Sequence, residues 1–139
     1  MNGLNRKVHF VGVGGIGMSG LAEILLNLGY AVSGSDLKAS DITERLELYG
    51  LEFHEGHRAE NADGAGIVVV SAAVPEDNAE VAAARARNVP VIHRSDLLAD
   101  LMRLKPNAVA VGGTHGKTTT TSMISAFLDL ANLGATSIV

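Results

Sequence analysis

Apolar positions along the chain fall into short runs alternating with helix-spaced faces. Val8–Val13 is a short apolar run containing His9, followed by glycines and then a helical pattern. In that pattern Leu21, Ile24, Leu25 and Leu28 stand at i, i+3, i+4 and i+7, and Gly29 marks the stop. Ala31–Ser35 reads as the second strand. Asp41 with Glu44 resembles a capping box, Ile42, Leu46 and Tyr49 make an inward face, and Gly50 ends the helix. Leu51–Phe53 is a third short strand, and Ile67–Val70 is a run that suits a strand buried on both faces. A helix rich in Ala and Arg is expected from Ala79 to Arg87, then a strand at Val91–Ile92 after Pro90. Ser95 is placed to cap a helix that turns Leu97, Leu98, Leu101 and Met102 inward.

Lys105-Pro106-Asn107 breaks that helix and reads as a boundary. Beyond it, Ala108–Val111 has the pattern of a strand, and Met123, Ile124, Phe127 and Leu128 share one face of a final helix. Strand–helix alternation of this kind predicts an α/β fold: a Rossmann-like parallel sheet with right-handed crossovers and helices on both faces. Residues 1–104 form that domain, and 105–139 open a second one.

Composition narrows the class. The 139 residues suffice for one such domain, and 16 glycines, few aromatics and no Trp suit short strands and Ala/Leu-rich helices. A net charge of −4 argues against nucleic acid as the main partner. Without cysteine there are no disulfides and no thiolate metal sites. No apolar stretch approaches the roughly 18–20 residues that span a bilayer, so no membrane partner and a cytoplasmic location are expected.

Two glycine loops carry the chemistry. Gly12-Val13-Gly14-Gly15-Ile16-Gly17 satisfies G-x-G-x-x-G between a strand and a helix. Glycines let the backbone turn tightly and approach a pyrophosphate, which the first N–H groups of the helix then hold. Asp36 ends the second strand, 19 residues after Gly17, where an acidic group can meet a ribose or a base. By itself this loop leaves NAD, FAD and a UDP-sugar open, and an NAD-dependent oxidoreductase domain is one reading. The second loop is Gly113-Thr114-His115-Gly116-Lys117-Thr118-Thr119. The usual Walker pattern has glycine six residues before the lysine, and here that position is Val111. The working parts remain: successive N–H groups for the phosphates of ATP, Lys117 for the β- and γ-phosphates, and the Thr118 hydroxyl for Mg²⁺. Twenty residues (120–139) follow Thr119, whereas a nucleotide-hydrolysing domain needs roughly 100–200. The expectation is the first strand, P-loop and helix of an ATPase domain that these residues leave incomplete. A non-catalytic nucleotide-binding module that stands alone is the other reading.

Taken together, Val11–Ser19, Ser33-Gly34-Ser35-Asp36, Val69–Ala73, Pro90–Arg94 and Gly113–Thr121 resemble the start of a Mur ligase, and the resemblance covers essentially the whole chain. His115 and Gly14–Met18 favour the branch that adds the first amino acid. The resemblance implies a ligase of peptidoglycan synthesis. ATP would phosphorylate the carboxylate of UDP-N-acetylmuramate, and L-alanine would attack the acyl phosphate. It further implies that Gly14, Gly15, Ile16 and Gly17 face the UDP diphosphate and that Asp36 sits by the uridine. Ser71, Ala72 and Arg94 join the UDP-sugar site. Gly113–Thr119 hold ATP, with Lys117, Thr118 and His115 in catalytic roles and Thr118 on the metal. On this reading the fragment binds without catalysing, and its C-terminal helix is a surface for self-association. His9, His54 and His57 lack metal spacing and read as structural or exposed. Residues 76, 77 and 80 read as a solvated acidic helix start.

Overall fold

A computed structural model describes residues 6–138. Five parallel strands form one sheet in the order β3-β2-β1-β4-β5, with β1 Lys7–Val11, β2 Val32–Asp36, β3 Glu52–Glu55, β4 Ala65–Val70 and β5 Val91–His93. The helices are α1 Ile16–Asn27, α2 Asp41–Leu48, α3 Ala79–Ala86, α4 Arg94–Arg103 and α5 Lys117–Leu130. A 3₁₀ turn, Ala59–Ala62, precedes β4. The chain runs outward from β1 to β3, then returns so that β4 and β5 add on the other side of β1. With right-handed crossovers this reversal puts α1 and α2 on one face and α3 on the other.

Two compact units divide the chain, 1–101 and 102–139. The first contains the sheet and the core. Val8, Phe10, Leu21 and Leu25 are buried, and Val11, Val68, Val70, Val81 and Ala84 form a cluster of their own. Alternation along β1 divides Val8 and Phe10 from His9 and Val11, so one strand feeds both faces. Gly34 in β2 is required by close approach: a Cβ there would lie 2.7 Å from the Cβ of buried Val13.

Several local expectations change. Ser40, not Asp41, caps α2. Its hydroxyl accepts from Thr43 N, while Ser40 N donates to the Thr43 hydroxyl. Tyr49 and Leu28 follow their helices and are half exposed. Arg94 already belongs to α4, so Ser95 is no cap. Instead His93 N donates to Asp96. Ala108–Val111 forms no strand. Pairing needs neighbouring strands, and none lies against this run among the described residues. The second unit also holds the end of α4, the glycine loop and α5, which has no fully buried residue.

Candidate functional site

The sheet reverses its strand order between β1 and β4, the point where open α/β sheets collect ligands at their C-terminal edge. A cleft of about 910 Å³ lies there. Gly14, Gly15, Ile16, Gly17, Asp36, Ser71, Ala72 and Arg94 all line it. The first four follow β1, Asp36 ends β2, Ser71 and Ala72 follow β4, and Arg94 follows β5.

The loop after β1 is tied down by backbone bonds. Gly12 N and Val13 N both donate to Ser35 O, at 2.8 and 2.9 Å. Gly14 N donates to Asp36 Oδ2 at 2.8 Å, and Leu37 N donates to Asp36 Oδ1 at 2.8 Å. The Asp36 carboxylate therefore clamps the loop to the end of β2. Helix α1 then starts with Gly15 at its N-cap, no side-chain cap and no acidic residue in its first turn. Ile16 and Gly17 keep backbone N–H groups without a partner among the described residues. Unpaired donors and the positive end of a helix dipole make an anion site. The Arg94 guanidinium lies directly over Gly17, where any Cβ would collide with it. A cation and two free donors thus converge on one spot.

The cleft also contains residues that sequence reasoning missed. Lys38 and Ser40 line it, and so does His57. His57 Nδ1 lies 3.1 Å from Ser35 Oγ and 3.1 Å from Glu80 Oε2. Glu80 corrects the expectation for the acidic helix start. Glu76 and Asp77 are exposed, but Glu80 is fully buried, and Asn78 caps α3 through its side chain. Burial raises the Glu80 pKa, yet the contacts with His9, Asn61 and Ser35 outweigh it and pull the carboxyl down to about 2. Ser35 Oγ donates to Oε2 at 2.7 Å, and Asn61 Nδ2 donates to Oε1 at 2.6 Å. His9 is fully buried, with Nδ1 2.8 Å from Ser33 Oγ and Nε2 3.7 Å from Glu80 Oε1, an electrostatic contact longer than a hydrogen bond. Nothing local betrays this cluster, because its members come from β1, β2, the β3–β4 connection and α3.

In the second unit, Gly116 takes φ 75°, a left-handed conformation that glycine adopts without strain, and caps α5. Lys117 Nζ reaches back to Gly113 O at 2.6 Å. His115 is exposed, with Nδ1 3.2 Å from Thr114 Oγ1. Thr118 and Thr119 are exposed in the first turn, which carries no acidic residue. The loop thus gathers Gly113, Thr114, His115, Gly116, Lys117, Thr118 and Thr119 around one helix N-terminus.

The family description "Mur ligase family, catalytic domain" matches residues 7–106. The chain belongs to the Mur ligase family. It is 63% identical over 133 residues to a UDP-N-acetylmuramate–L-alanine ligase of Myxococcus xanthus, covering 96% of this chain and 28% of that protein. The ligase of the same name from Geotalea daltonii is 55% identical over 139 residues, covering 100% and 30%. The solved UDP-N-acetylmuramate-alanine ligase of Thermotoga maritima superposes with a TM-score of 0.83 at 38% identity, over 91% of this chain and 30% of that one. The chain therefore spans under a third of the length of these relatives. Among the described residues of this Mur ligase stretch, no helix is long and apolar enough to cross a membrane, and no group of three His, Cys, Asp or Glu is placed to hold a metal.

Proposed function

We propose that this chain is the N-terminal part of a UDP-N-acetylmuramate–L-alanine ligase, a cytoplasmic enzyme of peptidoglycan synthesis. The first domain, residues 1–104, binds the UDP-sugar. Residues 105–139 open the ATP-binding domain. The observation that carries this reading is the convergence of Arg94 and the free N–H groups of Ile16 and Gly17 in a chain that also bears the Gly113–Thr119 loop. The names of the relatives supply the substrates.

In this reading Gly14–Gly17 and Arg94 hold the diphosphate, while Ser71 and Ala72 line the route towards the sugar. Asp36 keeps the loop open for the ligand through Gly14 and borders the uridine. The second loop fits a triphosphate: its N–H groups and Lys117 stand at a helix start with no side-chain cap and no acid in the first turn. Mg²⁺ would take one oxygen from Thr118 and the rest from phosphates and from chain outside these residues. ATP supplies the phosphoryl group and Mg²⁺ neutralises charge on it.

A carboxylate resists amide formation because its leaving group would be oxide. Transfer of the γ-phosphoryl group to a lactyl carboxylate oxygen of UDP-N-acetylmuramate corrects this and leaves ADP. The amine of L-alanine then attacks the acyl carbon, the C–O bond to phosphate breaks, and the amine gives up a proton. Lys117 offsets charge developing on the transferred group, and the N–H groups of Gly113–Thr119 fix the β-phosphate. His115, exposed at the loop apex, meets the sugar carboxylate or its acyl phosphate. The exposed Met123, Phe127 and Leu130 of α5 favour self-association when these 139 residues stand alone.

Calorimetry tests the reading. The 139-residue chain should bind UDP-N-acetylmuramate mainly through UDP and should ignore NADH. Arg94→Ala should weaken binding by about 10- to 100-fold, the worth of a charge-assisted hydrogen bond of about 1.5–3 kcal/mol. Gly15→Val, which places methyl groups at the helix N-terminus, should weaken it strongly. Equal affinity for UDP in all three proteins, or tighter binding of NADH, would rule the reading out. With ATP, Mg²⁺ and L-alanine added, these 139 residues alone should release no sugar-dependent phosphate.

A further inference from the structure

The donors and acceptors around Glu80 fix the proton on His57. The Glu80 carboxylate can only accept while it is ionised. Asn61 Nδ2 spends both hydrogens, one on Gly56 O at 2.8 Å and one on Glu80 Oε1 at 2.6 Å. Ser35 Oγ spends its single hydrogen on Glu80 Oε2 at 2.7 Å. His57 Nδ1 therefore faces two acceptors, Ser35 Oγ and Glu80 Oε2, each at 3.1 Å. It must carry a hydrogen, whether the ring is neutral or charged. In the neutral ring Nε2 is then bare. Glu80 is sealed off in the core, whereas His57 is 23% exposed and lines the cleft, so Nε2 is the ring nitrogen left for the ligand side.

We infer that Glu80 is a positioning residue that locks His57 in its Nδ1–H form and so reserves Nε2 for a proton taken up when a diphosphate binds. The lock stands on the hydrogen-bond geometry around an ionised Glu80; the proton uptake rests on the proposed UDP-sugar reading of the cleft. An anion is the ligand to expect at Nε2. The same cleft is lined by Arg94 and Lys38 and by the helix start where Ile16 and Gly17 keep unpaired N–H groups. A bare Nε2 would set a lone pair against a phosphate oxygen, and protonation turns that contact into a charge-assisted hydrogen bond. Other titratable and charged groups surround the pair. His9 approaches Glu80 from β1, and His54 of β3 lies with its ring centroid 6.3 Å from that of His9. Asp36 and Lys38 border the cleft at the end of β2. Arg58, next to His57, is turned onto Glu55 O, and Arg94 caps the glycine loop. Asp36 is already committed to two backbone N–H groups.

The lock makes a specific forecast for Glu80→Gln. The amide oxygen must face Asn61, whose hydrogens have nowhere else to go, so the amide NH₂ turns towards Ser35 and His57. Nδ1 then becomes an acceptor and the ring hydrogen moves to Nε2. Long-range ¹H–¹⁵N spectra of the labelled 139-residue chain read the tautomer directly, without ligand. The expected result is Nδ1–H in the wild type, Nε2–H in Glu80→Gln and Nδ1–H retained in Ser35→Ala. An Nε2–H wild type, or Glu80→Gln that keeps Nδ1–H, would overturn the lock, and the wild-type spectrum alone decides it if Glu80→Gln does not fold. Proton uptake is measured by titrating UDP-N-acetylmuramate, whose diphosphate is esterified at both ends, in buffers of different ionisation enthalpy. The wild type should take up a fraction of a proton at neutral pH, and Glu80→Gln and His57→Asn should lose that uptake. Uptake unchanged in His57→Asn would overturn the coupling. Absence of any UDP-sugar binding by the wild type would remove the ligand reading and leave the tautomer result to stand or fall separately.

Discussion

Replacing Glu80 by Gln should flatten the acid limb of the stability curve. Glu80 titrates at 4.5 when exposed and at about 2 in the fold. A folded-state pKa below the unfolded one means that ionisation stabilises the native state. The contribution is full above 4.5 and is lost as the pH falls through about 2. At about 1.4 kcal/mol per pH unit, that gap is worth about 3 kcal/mol. This is a large share of the 5–15 kcal/mol typical of a whole domain. The physical source is the contact with His9 and the hydrogen bonds from Asn61 and Ser35 on one buried carboxylate, which together outweigh the cost of burial. Urea denaturation of the wild type and Glu80→Gln, followed by circular dichroism at a series of pH values from about 6 to about 2, measures it. The wild type should lose about 3 kcal/mol more than the variant across that window. At neutral pH the variant should be less stable, because an amide cannot accept from every donor around it. Parallel curves for the two proteins between pH 5 and pH 2 would refute the assignment of the low titration to Glu80.

Gly34→Val should cost about 1–3 kcal/mol in thermal denaturation, the usual penalty for overpacking, because its Cβ would meet Val13 at 2.7 Å. By displacing Val13 it should also weaken UDP binding, and a variant of unchanged stability would show that the contact yields freely. Lys117→Ala in the full-length enzyme should cut turnover by about 10²–10³, or about 3–4 kcal/mol, with UDP-sugar affinity in calorimetry little changed. Hydrogen exchange should find the amides of β1, β2 and β4 far better protected than those of residues 108–138, where α5 has no fully buried residue. Equal protection in dilute monomer would contradict that.

What the sequence determined by itself is whatever depends on neighbours a few residues apart. The glycine loop between β1 and α1, Asp36 at the end of β2 and the Gly116-Lys117-Thr118 helix start were all legible, because turn geometry and helix ends are written in contiguous residues. The alternation of apolar runs and helical faces likewise led to the parallel sheet. Where competing local signals were close, the choice went astray by a residue: Ser40 with Thr43 caps α2, not Asp41 with Glu44.

Tertiary structure alone decided what depends on partners distant in the chain. Ala108–Val111 has a strand's composition but, among the described residues, no strand to pair with, so it stays unpaired. Glu80 has the same composition signal as its exposed neighbours Glu76 and Asp77, yet it is buried, because His9, Ser35, His57 and Asn61 converge there to satisfy it. A polar residue reads as solvated until its partners are known, since a buried charge is tolerable only when it is paired and hydrogen-bonded. Those partners lie 19 to 71 positions from Glu80 (Asn61 the nearest, His9 the farthest). Only the reversal of strand order that brings β1, β2 and α3 together supplies them.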